Sequence, residues 1–198
     1  MKNFISVLIL VTILLITFPA YAFQNEPDGF RGIAWNSVLS QSVKPTQGYY
    51  VCINSPDAKI QYPEIPYYNP SDTMQLGDSR ISQLTYYSYE RKKMTPPIFS
   101  KVNMYFEGES NVKTLEEYIL NRFGPPTEKI FQIKDHNDLG TWDIMSWKGS
   151  KTILELQVLR PVDNGRYYAT LWIMSNSLFD EIESKHMKST PLKFNNGI

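Results

Sequence analysis

The chain offers little for metal or nucleophilic chemistry: two histidines, His136 and His186, and one cysteine, Cys52. Zinc takes nitrogen and sulfur ligands at short, characteristic spacings. Here the histidines stand far apart, and neither has a cysteine near it. The run Asp135-His136-Asn137-Asp138-Leu139-Gly140 resembles the start of a calcium loop. It carries Leu139 at the fifth loop position and Ser146 where a bidentate glutamate belongs, so it reads as a solvated turn. Glu116 and Glu117 are adjacent on a helix and point in different directions, so they do not form an acid–base pair. No G-x-S-x-G, G-x-G-x-x-G or Walker-type loop occurs, and no cofactor is implied.

The unusual resource is aromatic. There are 13 tyrosines and four tryptophans, and eight of the tyrosines form the doublets Tyr49-Tyr50, Tyr67-Tyr68, Tyr86-Tyr87 and Tyr167-Tyr168. Adjacent residues of a strand face opposite sides of the sheet, so each doublet should turn one ring inward and one outward. An outward ring with a polar tip is a good contact group for a protein or a sugar. Tyr67, Tyr68, Tyr86, Tyr87, Tyr105 and Trp172 are the candidate partner contacts. The competing reading has these rings cover a one-sided sheet or pack beneath a Pro-rich segment.

Several elements must position these rings. Ile98 to Phe106 alternates Val102, Met104 and Phe106 with Lys101, Asn103 and Tyr105, the period of a strand with one buried face. Arg80 to Glu90 is a second, tyrosine-rich strand, and the RKKMTPP segment between the two reads as an exposed loop. In 110–124, Val112, Leu115, Tyr118, Ile119 and Phe123 share one side at helical spacing. Ser110 or Asn111 can cap this helix, or Thr114-x-x-Glu117 one turn later, and Gly124 followed by two prolines ends it. Strands follow at 141–147, 151–159 and 166–174, the last two joined by an Asp163-Asn164-Gly165 turn. Ser177-Leu-Phe-Asp180 should open a short C-terminal helix reaching about His186.

The first half is less regular. Residues 38–43 suggest one or two helical turns. The Pro/Tyr-rich stretch suits an extended, irregular or edge-strand segment, with a strand at 48–54. The sum is one α+β domain: a single antiparallel sheet, a meander of about five or six strands, packed by one main helix (about 111–123) and a short C-terminal helix. The domain should span 23–187, with 45–79 irregular and 188–198 a flexible tail.

The chain opens with Met1-Lys2, then an uncharged apolar run from Phe4 to Phe18, then Pro19-Ala20-Tyr21-Ala22. That is the order of a secretory signal peptide, with cleavage expected after Ala22. The 15 apolar residues would span roughly 22 Å as a helix, short of a bilayer core of about 30 Å. The reading is an exported, periplasmic protein with no integral membrane domain once the signal is removed. Charges balance at 20 basic and 20 acidic residues, which gives no basic excess for nucleic acid. A lone Cys52 permits no internal disulfide, so it is buried or pairs with another chain.

Just past the expected cut stands Asp28-Gly29-Phe30-Arg31-Gly32-Ile33-Ala34-Trp35. Phe30, Ile33 and Trp35 are apolar anchors, and Gly29 and Gly32 allow close approach or positive φ. The residue types point to a segment that pins the chain start onto the sheet. With the signal peptide it resembles an uncharacterised family of bacterial periplasmic proteins whose members begin Phe-Arg-Gly-Ile-x-Trp-Gly. Phe123-Gly124-Pro125-Pro126 and Trp147-Lys148-Gly149 look like that family's later landmarks. Asn36 stands where the family usually has Gly. The resemblance implies a helix-and-meander layout like that of small periplasmic protein-binding modules, and brings no catalytic residue.

The expected function is therefore a non-catalytic binding or accessory protein of the cell envelope, meeting a protein or glycan through an aromatic sheet face. One rival is an envelope hydrolase with dispersed carboxylates. The other is a self-associating structural protein linked through Cys52.

Overall fold

The computed structural model describes residues 23–39, 44–45, 64–69, 71–89, 91, 96–135, 140–162 and 165–189. Cys52, His136, the expected strand at 48–54 and the Asp163-Asn164 turn centre lie outside the described residues, as do the expected signal segment and 190–198. In chain order the elements are β1 (Gly29–Phe30), β2 (Ile33–Ala34), β3 (Lys44–Pro45), β4 (Glu64–Tyr68), β5 (Gln75–Leu76) and β6 (Ser79–Arg80). These are followed by β7 (Gln83–Tyr89), β8 (Ile98–Glu107), helix α1 (Glu109–Phe123) and β9 (Glu128–Lys134). The chain then forms β10 (Gly140–Lys148), β11 (Thr152–Pro161), β12 (Tyr168–Ser175) and helix α2 (Asn176–Ser189).

The class is α+β as expected. The main sheet is larger than five or six strands: eight pair antiparallel in the order β3-β4-β7-β8-β12-β11-β10-β9. It is not one continuous meander either. The second half, β9 to β12, winds back until β12 lies against β8, placing α1 between two successive runs of strands. The three additional strands are β3 and β4, at either end of the Pro/Tyr-rich segment, and β9. Val38 bridges Ile98 in extended conformation, so it does not start the expected helical turn.

Strand alternation builds the core. Val102, Met104 and Phe106 are fully buried on one side of β8, level with Leu171 and Ile173 of β12 and Leu154, Leu156 and Val158 of β11. Helix α1 covers this side with Val112, Leu115, Ile119 and Phe123, each worth roughly 1.5–3 kcal/mol of burial. The helix starts two residues earlier than the expected caps allow. Its N-cap is Gly108 at φ 91°, with no side-chain cap. Asn111 instead binds the backbone of Arg80 through both amide atoms, clipping the β5–β6 hairpin to the helix. Gly124, at φ 77°, ends α1 as its sequence suggests. Helix α2 is longer than expected. Its first turn is capped by Ser175, whose hydroxyl accepts the Leu178 N–H at 3.4 Å, rather than by Ser177.

The Phe-Arg-Gly-Ile-x-Trp segment is a strap laid across the buried side. Arg31 (φ 50°) and Gly32 (φ 78°) make the turn between β1 and β2. A Cβ at Gly29 would lie 2.1 Å from the Ile33 carbonyl oxygen, which explains the glycine by close approach. Phe30 packs on Tyr86 at 5.9 Å, and Trp35 stacks on Phe99 at 4.7 Å. Ile33 is half-buried against the same cluster. The Trp35 indole N–H donates to Thr152 Oγ1 at 2.8 Å, and Thr152 Oγ1 donates to the Pro27 carbonyl.

Glu26 locks the other end of the strap. Its carboxylate accepts the backbone N–H of Lys151 and of Thr152 (2.7 Å) and faces the Ser150 hydroxyl. Burial pushes this carboxyl up, but the hydrogen bonds outweigh it and hold the carboxyl below the ordinary range. A folded carboxyl with a lowered pKa stabilises fully above the unfolded value of about 4.3, and loses that contribution as pH falls through the folded value. Glu26→Gln should lower stability at pH 7 by about 1 kcal/mol, toward the small end for charge-assisted bonds because the group meets solvent. The deficit should close below about pH 4. Urea midpoints measured from pH 3 to 7 would check it.

Candidate functional site

The face opposite α1 collects the aromatic rings. Lys101, Asn103 and Tyr105 project there because Val102, Met104 and Phe106 project into the core. Cross-strand register extends the face: Met174, Trp172 and Thr170 stand beside them on β12, then Ile153, Glu155 and Gln157 on β11. On β7 the outward set is Gln83, Thr85, Tyr87 and Tyr89.

Two ring clusters result. In the first, Tyr87 and Trp172 lie 6.0 Å apart, with the Lys101 ammonium 4.8 Å from one ring and 5.3 Å from the other. A cation between two ring faces is attracted to both, and it fixes the rings' orientation. In the second, Tyr105 and Tyr168 pack at 5.4 Å, and Trp142 meets Tyr168 edge-on at 5.4 Å. The Trp142 indole N–H donates to the buried Asp135 carboxylate at 2.9 Å. Trp142 and Tyr168 flank Leu159, which is buried although it faces outward.

Between the clusters lies a polar strip of Asn103, Thr170, Glu155 and Gln157, with the Gln157 amide donating to Glu155. The phenols are uncharged at any physiological pH. Burial raises Tyr105, helped by Tyr168 and Glu107, and burial raises Tyr168, helped by Asp135. The face can therefore offer flat apolar rings beside neutral donors and acceptors, with the Glu155 and Glu107 carboxylates and the Lys101 ammonium.

Four of the six sequence candidates lie here: Tyr68, Tyr87, Tyr105 and Trp172. Of these, Tyr87 is itself buried, in contact with Trp172. The other two face the core. Tyr86 is 1% exposed, packed between Phe30 and Phe99, with its hydroxyl donating to Asp72. Asp72 also pairs with Arg31 at 3.3 Å, so Tyr86 anchors the strap and cannot meet a partner directly. Tyr67 is half-buried against the core cluster on the same side. Both doublets obey strand alternation, with Tyr67 and Tyr86 turned to the core and Tyr68 and Tyr87 turned outward. Sequence reasoning missed Tyr168 and Trp142. Alternation against Ala169, Leu171 and Ile173 was the available signal for Tyr168.

A second polar group lies on the helix side. Arg160 binds Asp143 through Nε and Glu116 at 2.7 Å, with the Tyr167 hydroxyl at 3.4 Å. Asp143 also accepts the Gln132 N–H at 3.2 Å. Burial would lower the Arg160 pKa, but its bonds to Asp143, Tyr167 and Glu116 raise it instead. The cluster ties α1 to β10 and β11. Glu116 therefore does more than line the solvated helix face.

Among the described residues no group of three metal-ligating side chains converges. A shallow open depression on α1, lined by Glu109, Ser110, Lys113, Thr114 and Glu117, sits on the solvated helix surface. No helix among the described residues is long and apolar enough to cross a membrane. No protein-family model, curated protein or solved structure matches this chain.

Proposed function

We propose that this is an exported, non-catalytic binding or accessory protein of the bacterial cell envelope, acting through the sheet face that faces away from α1. The carrying observation is the pair of ring clusters there, Tyr87–Lys101–Trp172 and Tyr105–Tyr168–Trp142, on a sheet whose main hydrophobic cluster lies on the other side. Trp172, Tyr105, Tyr168 and Trp142 are only partly covered, so their surfaces remain for a partner. Rings held in place by their neighbours lose little entropy on binding, which makes them efficient contacts. The expected signal peptide and the family resemblance support the envelope location.

The test pairs a binding readout with a folding readout. A photo-crosslinker at Asn103, on the polar strip, should capture a partner in the intact periplasm. The double substitution Tyr105→Ala/Trp172→Ala should weaken capture at least 10-fold, since central aromatic contacts typically cost about 2 kcal/mol or more each. The same variant should keep a cooperative melt. Equal capture by both proteins, or none by either, would count against the reading.

A further inference from the structure

Phe23 is the residue that the expected signal cleavage would place first. What Phe23 touches is the C-terminal end of α1. Its ring meets Phe123 edge-on at 5.4 Å. The Gln24 N–H donates to the Phe123 carbonyl at 3.2 Å, and the Asn25 amide donates to the Arg122 carbonyl at 2.6 Å. These are carbonyls that a helix end leaves without intrahelical partners. The Gly124 carbonyl is likewise taken, by the Trp147 indole N–H at 2.8 Å. Residues 23–25 thus cap α1 from a remote part of the chain.

Resting on the export reading above, we propose that removal of residues 1–22 completes this cap by creating a positive charge. Cleavage turns the Phe23 amide into an ammonium. That nitrogen is one residue from the Gln24 N–H, under about 4 Å by bond lengths, and so within about 7 Å of the Phe123 carbonyl. The C-terminal end of a 15-residue helix carries partial negative charge, and a cation placed there is stabilising. The signal segment therefore does more than address the protein. While attached it withholds a stabilising charge, and the mature chain is the more stable species. A precursor that must cross a membrane unfolded gains from that difference.

The charged groups on the elements packed against this segment are Arg122 at the end of α1, Lys148 and Lys151 flanking the β10–β11 turn, and Glu26 within the strap. Glu26 is held by the backbone of Lys151 and Thr152. The three cations oppose the new ammonium and the Glu26 carboxylate favours it, so the expected effect is that of a helix-terminus interaction.

The experiment compares two purified chains that both start at Phe23, one with a free N-terminus and one with an acetylated N-terminus. At pH 6.5 and low salt the free-amine chain should melt about 1–4 °C higher. An ammonium favoured by the fold has a pKa raised above the unfolded value of about 7.7–8.0. Its contribution is whole below that value and is lost as pH rises through the folded one. The difference should therefore vanish by about pH 10. Equal melting at pH 6.5 overturns the proposal. A difference that persists unchanged at pH 10 also overturns it, because that would be packing of the chain end and not charge. Intact mass of the exported protein reads the other premise separately: a chain beginning elsewhere than Phe23 sinks the cleavage site, whatever the melts show.

Discussion

Trp35→Ala should destabilise the protein by about 3–5 kcal/mol, the range for emptying a buried tryptophan site. Three losses coincide. The stacked contact with Phe99 at 4.7 Å disappears, a buried indole leaves a cavity, and the hydrogen bond to Thr152 Oγ1 is broken. Thr152 is fully buried and also holds the Pro27 carbonyl, so the strap loosens at both ends. Trp35→Phe separates the terms: it keeps ring packing and removes only the indole donor, at about 1–2 kcal/mol. Chemical denaturation with tryptophan fluorescence from Trp142, Trp147 and Trp172 would read both variants. A Trp35→Ala protein within 1 kcal/mol of wild type would show that the segment is an ornament on the fold.

Asp143→Ala should cost about 2–3 kcal/mol. Removing one partner of a buried ion pair typically costs 3–5 kcal/mol, because the other charge is left behind. Here the Arg160 side chain is 35% exposed and keeps Glu116, so the lower figure applies. The Asp143 side chain is only 9% exposed and also holds the Gln132 backbone N–H, where the chain takes a positive φ of 59°. The variant should therefore release β9 first. Hydrogen exchange should accelerate across 128–134 before it does so in β11. If β9 protection is unchanged while stability falls, the carboxylate serves only the helix contact.

The elements with an unbroken period were legible in the sequence: β8, β11, β12 and α1 stand within one or two residues of their expected limits. Strand β9 was not, for a local reason. Phe131 and Gln132 together oppose Asp143 in a bulge, so the alternation Ile130–Ile133 slips by one and matches neither period. Strand β4 was obscured by Pro66, which reads as a breaker although it sits near the sheet edge, where proline is tolerated. The candidate site was legible as a composition and only partly as a place. The doublets showed that rings would point both ways, but which member pointed out depends on register with β8. Trp142 stayed hidden because its neighbour Asp143 looks like the solvent-facing residue. Asp143 is in fact turned to the helix side, where Arg160 receives it.

The exposed edge strand has a consequence for crowding. All seven residues of β9 are exposed, including Ile130, Phe131 and Ile133, so this rim could template growth of a foreign ribbon. Its bulge constrains how two copies can meet. If Ile130 of one copy faces Ile133 of the other, Lys129 is forced opposite Lys134, and like charges directly opposed are unfavourable. The two lysines thus oppose that register of self-pairing along a sticky rim.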